Sequence, residues 1–288
     1  MNVEVLYMKK LLCYSACSVL TLAVLISMAA CSKNRVQQEE GGFTITVGGS
    51  SSVSPLIEMF KDAYESANEG VTISVSTSGS GDGIRGAAEG TFAIGMTSRP
   101  LVPAELGTDI REHFIALDGI GIIVNNASPV SNLSQAQLRG IYTGSVTRWE
   151  ELGAAAAGAS GAIAVVSRES ASGTRGAFEE LLDFQDQLVG GAIEFNGTGA
   201  VKAEVSRNVH AIAYISLGSV DDTVKLINVD GVEASSENIR NGFYQIARPF
   251  ILLTRRSTPP NEHTQAFLDW ILGSEAQAIV RRNWISIQ

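Results

Sequence analysis

Short apolar runs alternate along the chain with segments of helical spacing, and Gly/Ser-rich loops join them. Four short runs of apolar or β-branched residues predict strands at 43–47, 71–75, 92–96 and 163–166. Most of them lead through a Gly/Ser loop into apolar residues at helical spacing. This repeated order predicts an α/β fold with a parallel sheet and helices on its faces. Ligands of such sheets bind at the carboxyl ends of the strands, where these loops lie.

The longest apolar run, 114–125, is interrupted by Asp118 and Gly119. It predicts a strand that runs between two domains and bends at its glycines. Ser134 and Thr147 each predict the N-cap of a helix that follows directly. Further strands are predicted at 210–217, 224–229 and 250–254, and further helices at 202–206, 267–272 and 274–282.

The stretch from Arg168 to Arg175 carries the densest candidate chemistry, because it joins a buried strand to a helix start. Ser172 and Thr174 supply hydroxyl groups there, and Gly173 lets backbone amides approach a ligand closely. A helix N-terminus has free N–H groups and about half an elementary positive charge. Arg168 adds a guanidinium that stays protonated. Together they predict a site for a small oxyanion; the alternative is an ordinary capped helix beside a surface arginine.

Composition narrows the possible partners. The 288 residues are 45% hydrophobic, which suits one large or two medium domains. The formal net charge of −9, without a basic run, argues against nucleic acid and anionic membrane surfaces as partners. The histidines, His113, His210 and His263, lie far apart, and no HExxH or CxxC motif occurs. We therefore expect no metal site and no cofactor.

The N-terminal segment has the pattern of an export signal. Lys9 and Lys10 precede an apolar run over residues 11–30, so residues 1–30 are interpreted as a signal peptide that begins at Met1 or Met8. Small residues then precede Cys31, as in a bacterial lipobox, so Cys31 is the expected lipid attachment site. The alternative is a plain transmembrane anchor.

Residues 31–42 are polar and predict a lipidated tether, and the fold is expected to start at Phe43. All three cysteines fall within the first 31 residues, so the body of the chain has no possible disulfide.

Several motifs in order resemble the substrate-binding lipoprotein of bacterial phosphate ABC transporters, from about Phe43 to the C-terminus. They are Gly-Ser-Ser-Ser-Val-Ser-Pro-Leu (49–56), Ser-Gly-Ser-Gly-Asp-Gly-Ile (78–84), Ile-Gly-Met-Thr-Ser-Arg-Pro-Leu (94–101), Leu-Asp-Gly-Ile-Gly-Ile-Ile-Val-Asn (117–125), Ile-Tyr-Thr-Gly-Ser-Val-Thr-Arg-Trp-Glu-Glu-Leu (141–152), the Arg168 to Arg175 segment, and Ala-Tyr-Ile-Ser-Leu-Gly (213–218).

The resemblance implies a two-lobed type II periplasmic-binding-protein fold. Each lobe would be a mixed sheet flanked by helices, with the ligand in the cleft between them. Lobe 1 would comprise residues 43–118 plus 247–288, and lobe 2 residues 119–246. The lobes would close on phosphate about a hinge at Asp118-Gly119 and near Arg248-Pro249.

The resemblance also implies a set of phosphate ligands: Ser51, Ser52, Ser80, Ser98, Arg99, Arg168, Ser172, Gly173 and Thr174. Two departures from the family stand out. Ser170-Ala171 replaces an acidic residue and a glycine, and Ser98 stands where some members have an aspartate. A carboxylate that accepts the proton of phosphate would reject sulfate, so Asp118, at the predicted hinge, is proposed as that acceptor. The alternative is that Asp118 only ties the hinge backbone and that the Ser98 hydroxyl is a weaker acceptor, which would leave the discrimination partial.

The function so implied is capture of inorganic phosphate outside the cytoplasmic membrane and delivery to an ABC permease. The protein would be a monomer held to a bacterial membrane by its lipid, in the periplasm or at the cell surface, and would not be an enzyme. One alternative is a phosphate sensor or surface adhesin with the same fold. Another is a serine hydrolase or phosphatase, although no GxSxG elbow or P-loop lysine occurs.

Overall fold

A computed structural model describes residues 42–288 of the chain. The predicted signal peptide, Cys31 and nearly all of the predicted tether therefore lie outside the described residues. Residues Phe43–Gln288 form one compact unit. No helix within residues 42–288 is long and apolar enough to cross a membrane.

The strands alternate with helices for most of the described chain. The strands are β1 (Phe43–Ser50), β2 (Val71–Ser78), β3 (Ile94–Thr97), β4 (Ile110–Val124), β5 (Asn132–Leu133), β6 (Ala164–Arg168), β7 (Ile193–Phe195), β8 (Ala211–Ser216), β9 (Lys225–Val229) and β10 (Ala247–Arg255). The helices are α1 (Ser54–Ala67), α2 (Ser80–Glu89), α3 (Gln135–Thr143), α4 (Gly173–Leu181), α5 (Thr198–Arg207), α6 (Ser236–Arg240), α7 (Glu262–Ile271) and α8 (Ser274–Val280). Short 3₁₀ helices occupy Trp149–Ala156 and Leu217–Ser219.

Eight of the strands form a mixed sheet in the order β2-β1-β3-β10-β4-β8-β6-β7, and β9 joins it by pairing with β4 and with β5. β1 runs parallel to β2 and β3, whereas β10 runs antiparallel to β3 and β4. The mixed sheet implied by the family resemblance is therefore confirmed. The parallel order predicted from the local pattern holds only for β1 with β2 and β3, for β5 with β9 and for β6 with β7 and β8, because β10 returns from the far end of the chain into its middle. β4 takes part twice: its residues up to Gly119 pair with β10, and those from Ile120 onward pair with β8.

Two large hydrophobic cores lie on either side of this change of partner. One is built from β1, β3, α1 and the C-terminal helices, with Phe60 and Phe267 fully buried. The other is built from the second half of β4 and from α3, α4 and β8, with Tyr142 and Phe178 fully buried. β4 and β10 pass between the two cores, which places Asp118 and Arg248 opposite one another in register.

One glycine brings two candidate segments together. A Cβ added at Gly83 would lie 2.3 Å from the carbonyl oxygen of Met96. Glycine therefore lets α2 pack directly on β3, closer than any residue with a side chain permits. That contact places Ser80, the first residue of α2, beside Ser98, which follows β3.

The sequence predicted two helix N-caps, and the structure contains one of them. Ser134 caps α3 as predicted, and Gln137 completes a capping box with it. The predicted cap at Thr147 is wrong, because the N-cap of the 3₁₀ helix that follows is Arg148, and no side chain caps this helix. Thr147 instead donates its hydroxyl hydrogen to Glu151.

Candidate functional site

The ends of several elements converge at one place. Ser51 and Ser52 form the turn between β1 and α1. Three helices, α2, α4 and α5, begin there with Ser80, Gly173 and Thr198. Each helix start carries backbone N–H groups without helical partners and the positive end of the helix dipole.

Hydroxyl groups from distant segments are in contact at this point. The Oγ of Ser52 lies 2.7 Å from the Oγ1 of Thr174. The Oγ1 of Thr198 lies 3.4 Å from the Oγ atoms of both Ser51 and Ser52. All four side chains are buried. This hydroxyl cluster joins the start of α1 to the starts of α4 and α5.

A second group of hydroxyls surrounds Ser98. Ser50 donates its hydroxyl hydrogen to the Oγ of Ser98 over 2.9 Å. The Oγ of Ser80 lies 3.3 Å from the Oγ of Ser98. The Ser80 Oγ also accepts a hydrogen bond of 3.1 Å from the backbone N–H of Ser98. Ser80 and Ser98 are both fully buried.

Gly173 brings α4 against this second group. A Cβ added at Gly173 would lie 2.2 Å from the Oγ of Ser80 and 2.9 Å from the Oγ of Ser98. Real Cβ atoms do not approach other atoms so closely, so only glycine fits here. The N-terminus of α4 therefore touches both groups of hydroxyls, through Gly173 on one side and Thr174 on the other.

Arg168, at the end of β6, is 2% exposed. Its Nε and Nη2 donate to the two carboxylate oxygens of Glu169, over 2.8 and 2.7 Å. Its Nη1 donates to the Oγ1 of Thr198 over 3.3 Å. Glu169 thus orients the guanidinium, and the remaining nitrogen faces the hydroxyl cluster.

Arg248, on β10, supplies a second buried guanidinium that sequence reasoning did not assign to the site. It is also 2% exposed. Its Nη1 donates to the Oγ of Ser98 over 3.3 Å, and its Nη2 donates to Asp118 over 3.2 Å. Its Nε has no hydrogen-bond partner among residues 42–288, so one donor remains free.

Asp118 lies beneath the site, where its carboxylate is already engaged. The Oγ of Ser216 donates to it over 2.8 Å, and Arg248 and the backbone of Gly218 also bond to it. Burial raises the pKa of Asp118 to about 6, and these hydrogen bonds and the charge of Arg248 limit the rise. Burial also lowers the pKa of Arg248.

Besides Asp118, two predicted ligands are engaged with other protein groups. Arg99 donates to both carboxylate oxygens of Glu105, over 2.7 and 2.9 Å, and lines a separate cleft with Val102. Ser172 caps α4, its Oγ accepting from the backbone N–H of Arg175. The structure brings the other predicted ligands together: Ser51, Ser52, Ser80, Ser98, Arg168, Gly173 and Thr174.

Sequence reasoning missed Ser50, Thr198, Ser216 and Arg248. Two of these residues, Thr198 and Arg248, have sequence features from which they could have been predicted. Thr198 follows Gly197 after a short strand, which repeats the strand–loop–helix order of the other site segments. Arg248 is a charged residue inside an otherwise apolar strand, which implies a buried partner.

The arrangement suits an anion. Helix N-termini and hydroxyl groups supply hydrogen-bond donors, and two guanidinium groups supply positive charge in a water-poor setting. Within residues 42–288 no three His, Cys, Asp or Glu side chains are grouped so that they could hold a metal ion.

Comparison with known proteins places the chain in a family. A family model described as a PBP superfamily domain matches residues 34–275. A crystal structure described as a phosphate ABC transporter substrate-binding protein of Clostridium perfringens, with bound phosphate, is 38% identical. The match covers 85% of this chain and 100% of that chain, with a TM-score of 0.81.

Curated relatives agree. The phosphate-binding protein PstS of Bacillus subtilis is 30% identical over 214 residues, covering 73% of this chain and 69% of the relative. Phosphate-binding protein PstS 2 of Streptococcus agalactiae is 39% identical over 132 residues, or 43% of this chain. The chain spans 45% of the length of that relative.

Proposed function

Since the chain belongs to the PBP superfamily and, within it, to the phosphate-binding proteins with the two-lobed type II periplasmic-binding-protein fold, we propose that it binds inorganic phosphate outside the cytoplasmic membrane and delivers it to an ABC permease. The observation that carries this proposal is the convergence of the starts of α2, α4 and α5 on the buried guanidinium groups of Arg168 and Arg248. Phosphate has the size, charge and acceptor oxygens for that set of donors.

The proposed ligand set follows the contacts. Donors to phosphate are the hydroxyls and N-terminal amides of Ser51, Ser52, Ser80, Ser172, Gly173, Thr174 and Thr198, with Arg168 as the cation. Ser98 takes part through Ser80, to which its hydroxyl and its backbone N–H both bond. Arg99 is a weaker member because Glu105 holds its guanidinium. Asp118 contributes through Arg248, because its carboxylate is taken up by protein donors.

We also propose how the chain is divided into two lobes and how it is attached to a membrane. Residues 43–118 plus 247–288 would form lobe 1 and residues 119–246 lobe 2, supported by the two hydrophobic cores that β4 and β10 join. Cys31 would carry lipid, so that a monomer stays attached to a bacterial membrane near its permease. Cys31→Ser should abolish palmitate labelling; undiminished labelling would disprove the anchor.

Titration calorimetry tests the binding function. The body from residue 32 onward is titrated with phosphate, sulfate, molybdate and a phosphonate. We expect saturable binding of phosphate, and weaker binding of the phosphonate because a carbon replaces one acceptor oxygen. Absence of phosphate binding with a folded protein would refute the proposal. A strong preference for molybdate would reassign the ligand to another oxyanion.

A further inference from the structure

Hydrogen-bond direction around Ser98 is determined by the groups that surround it. A guanidinium only donates hydrogen bonds, whereas a serine hydroxyl has one hydrogen to donate and two lone pairs that accept. Ser98 accepts from the Nη1 of Arg248 and from the hydroxyl of Ser50. Both of its lone pairs are therefore used. Its own hydrogen must be donated, and the Oγ of Ser80 lies 3.3 Å away.

The same reasoning extends to Ser80. Its Oγ accepts from the backbone N–H of Ser98 over 3.1 Å and from the Ser98 hydroxyl. Both lone pairs of Ser80 are then used as well, so its own hydrogen is left for an acceptor outside this chain of hydrogen bonds. Gly173 lies directly against the Oγ of Ser80, and the start of α4 offers only donors. An oxyanion held at that helix start is the group that can accept this hydrogen.

We propose that Arg248 is a positioning residue that makes Ser98 and Ser80 one-way donors, so that this side of the site binds only an unprotonated oxyanion oxygen. This proposal rests on the proposed function and adds the form of phosphate that the site prefers. Asp118 supports it by holding the Nη2 of Arg248. Because Ser216 and Arg248 occupy its carboxylate, Asp118 does not accept the ligand's proton.

The opposite side of the site is less constrained. Arg168 donates to Thr198, but the bond between Ser52 and Thr174 can run in either direction. Among residues 42–288, the groups on this side that can accept a proton from the ligand are these hydroxyls, which are weak acceptors beside a carboxylate. The site should therefore bind the phosphate dianion more tightly than the monoanion, and it should also admit sulfate.

The first test uses the purified full-length protein and two ligands. Phosphate and sulfate affinities are measured below and above the second ionisation of phosphate. Sulfate keeps the same charge over this range, so its affinity reports changes in the protein's own charge, above all that of the buried Asp118. The other charged groups that face the site are Arg168, Glu169 and Arg248. After that correction, phosphate should bind at least about tenfold more weakly as the monoanion, and sulfate should compete.

The second test frees one lone pair of Ser98 without breaking the buried ion pair. In Ser50→Ala, Ser98 can accept from Ser80, which frees Ser80 to accept from a protonated ligand. The difference between monoanion and dianion should shrink to less than about threefold. Ser54→Ala is the matched control, because its buried hydroxyl bonds to Thr77 and to a backbone carbonyl instead.

Arg248→Lys should shift the pH profile in the same direction, because an ammonium cannot reproduce the fork that joins Ser98 to Asp118. If Arg248→Lys does not fold, the comparison of Ser50→Ala with Ser54→Ala decides. The inference is overturned if wild-type phosphate binding is independent of ligand protonation, if sulfate does not compete, or if Ser50→Ala keeps the wild-type profile. Failure of wild type to bind phosphate at all would instead refute the proposed function.

Discussion

Arg168 offers one side of its guanidinium to Glu169 and the other to the hydroxyl cluster. The sequence predicted its role from its place between a strand and a helix start. Its partner Glu169 was not predicted, because an adjacent acidic residue on a loop normally points to solvent. The bidentate contact explains why a guanidinium suits this position better than an ammonium.

Replacement of Arg168 should weaken phosphate binding. Arg168→Ala should raise the Kd by at least about tenfold, because a hydrogen bond to a charged group contributes about 1.5–3 kcal/mol. Arg168→Lys should also weaken binding, since one ammonium cannot bond Glu169 on two sides and Thr198 as well. Arg148→Lys, at an exposed arginine paired with Glu150, is the control and should bind as wild type does. An unchanged Kd for Arg168→Ala would place the site elsewhere.

Asp118 should make folding depend on pH in an unusual direction. Its pKa is raised from 3.8 to about 6, chiefly by burial, so the folded state holds a proton more tightly than the unfolded state does. Its stabilising contribution is therefore full below pH 3.8 and is lost as pH rises through about 6. The loss is at most about 3 kcal/mol for a shift of this size.

The measurement is the free energy of unfolding by denaturant, without phosphate, for wild type and Asp118→Asn. The difference, wild type minus variant, should fall across that pH window. Titrations of other groups are common to both proteins and cancel. A difference that stays level or rises would mean that Arg248 and Ser216 outweigh burial and keep the carboxylate ionised.

The start of α4 is the element on which the site depends most closely. It contributes a cap through Ser172, a contact through Gly173 and a hydroxyl through Thr174. Its hydroxyl groups and its glycine were predictable because they are adjacent in the sequence. Its contact with Ser80 was not, because that contact depends on how closely two distant helices pack.

Gly173→Ala should therefore reduce phosphate affinity by at least about tenfold, because its Cβ would displace Ser80 and Ser98. Gly199→Ala is the matched control near the start of α5, where an added Cβ meets nothing within 4 Å. That variant should bind normally and be slightly more stable, by up to about 1 kcal/mol. Calorimetry and thermal unfolding of both variants distinguish lost binding from lost folding. Equal affinities in the two variants would show that α4 does not approach Ser80 in the bound state.

Long-range strand pairing explains most of what the sequence did not predict. Arg248 reaches the site only because β10 pairs with β4 in a register that sets it opposite Asp118. Nothing local to either strand specifies that register. Ser134, by contrast, was identified because an N-cap is specified by the residues that directly follow it. The prediction at Thr147 failed because the Thr147 hydroxyl bonds to a glutamate side chain instead of accepting from a backbone N–H.

Across the whole molecule, the path of β4 and β10 between two cores is the proposed hinge for closure. If residues 43–118 plus 247–288 move against residues 119–246, the hydroxyl contacts between Ser52 and Thr174 and the packing of Gly173 on Ser80 must form on closing. Phosphate, by bonding to donors on both sides, would favour the closed state.

Closure can be measured with a pair of fluorescent labels, because no cysteine occurs after Cys31. Val102→Cys and Glu180→Cys place labels on opposite walls of a cleft of about 480 Å³, at exposed positions on the two sides of the proposed hinge. Energy transfer between them should rise on addition of phosphate. A control pair at Arg85 and Val102, both on one side, should not respond. In a protein that also carries Gly173→Ala, the rise in energy transfer should be suppressed, because the added Cβ holds α4 away from Ser80. Unchanged transfer in the first pair at saturating phosphate would show that the protein binds its ligand without closing.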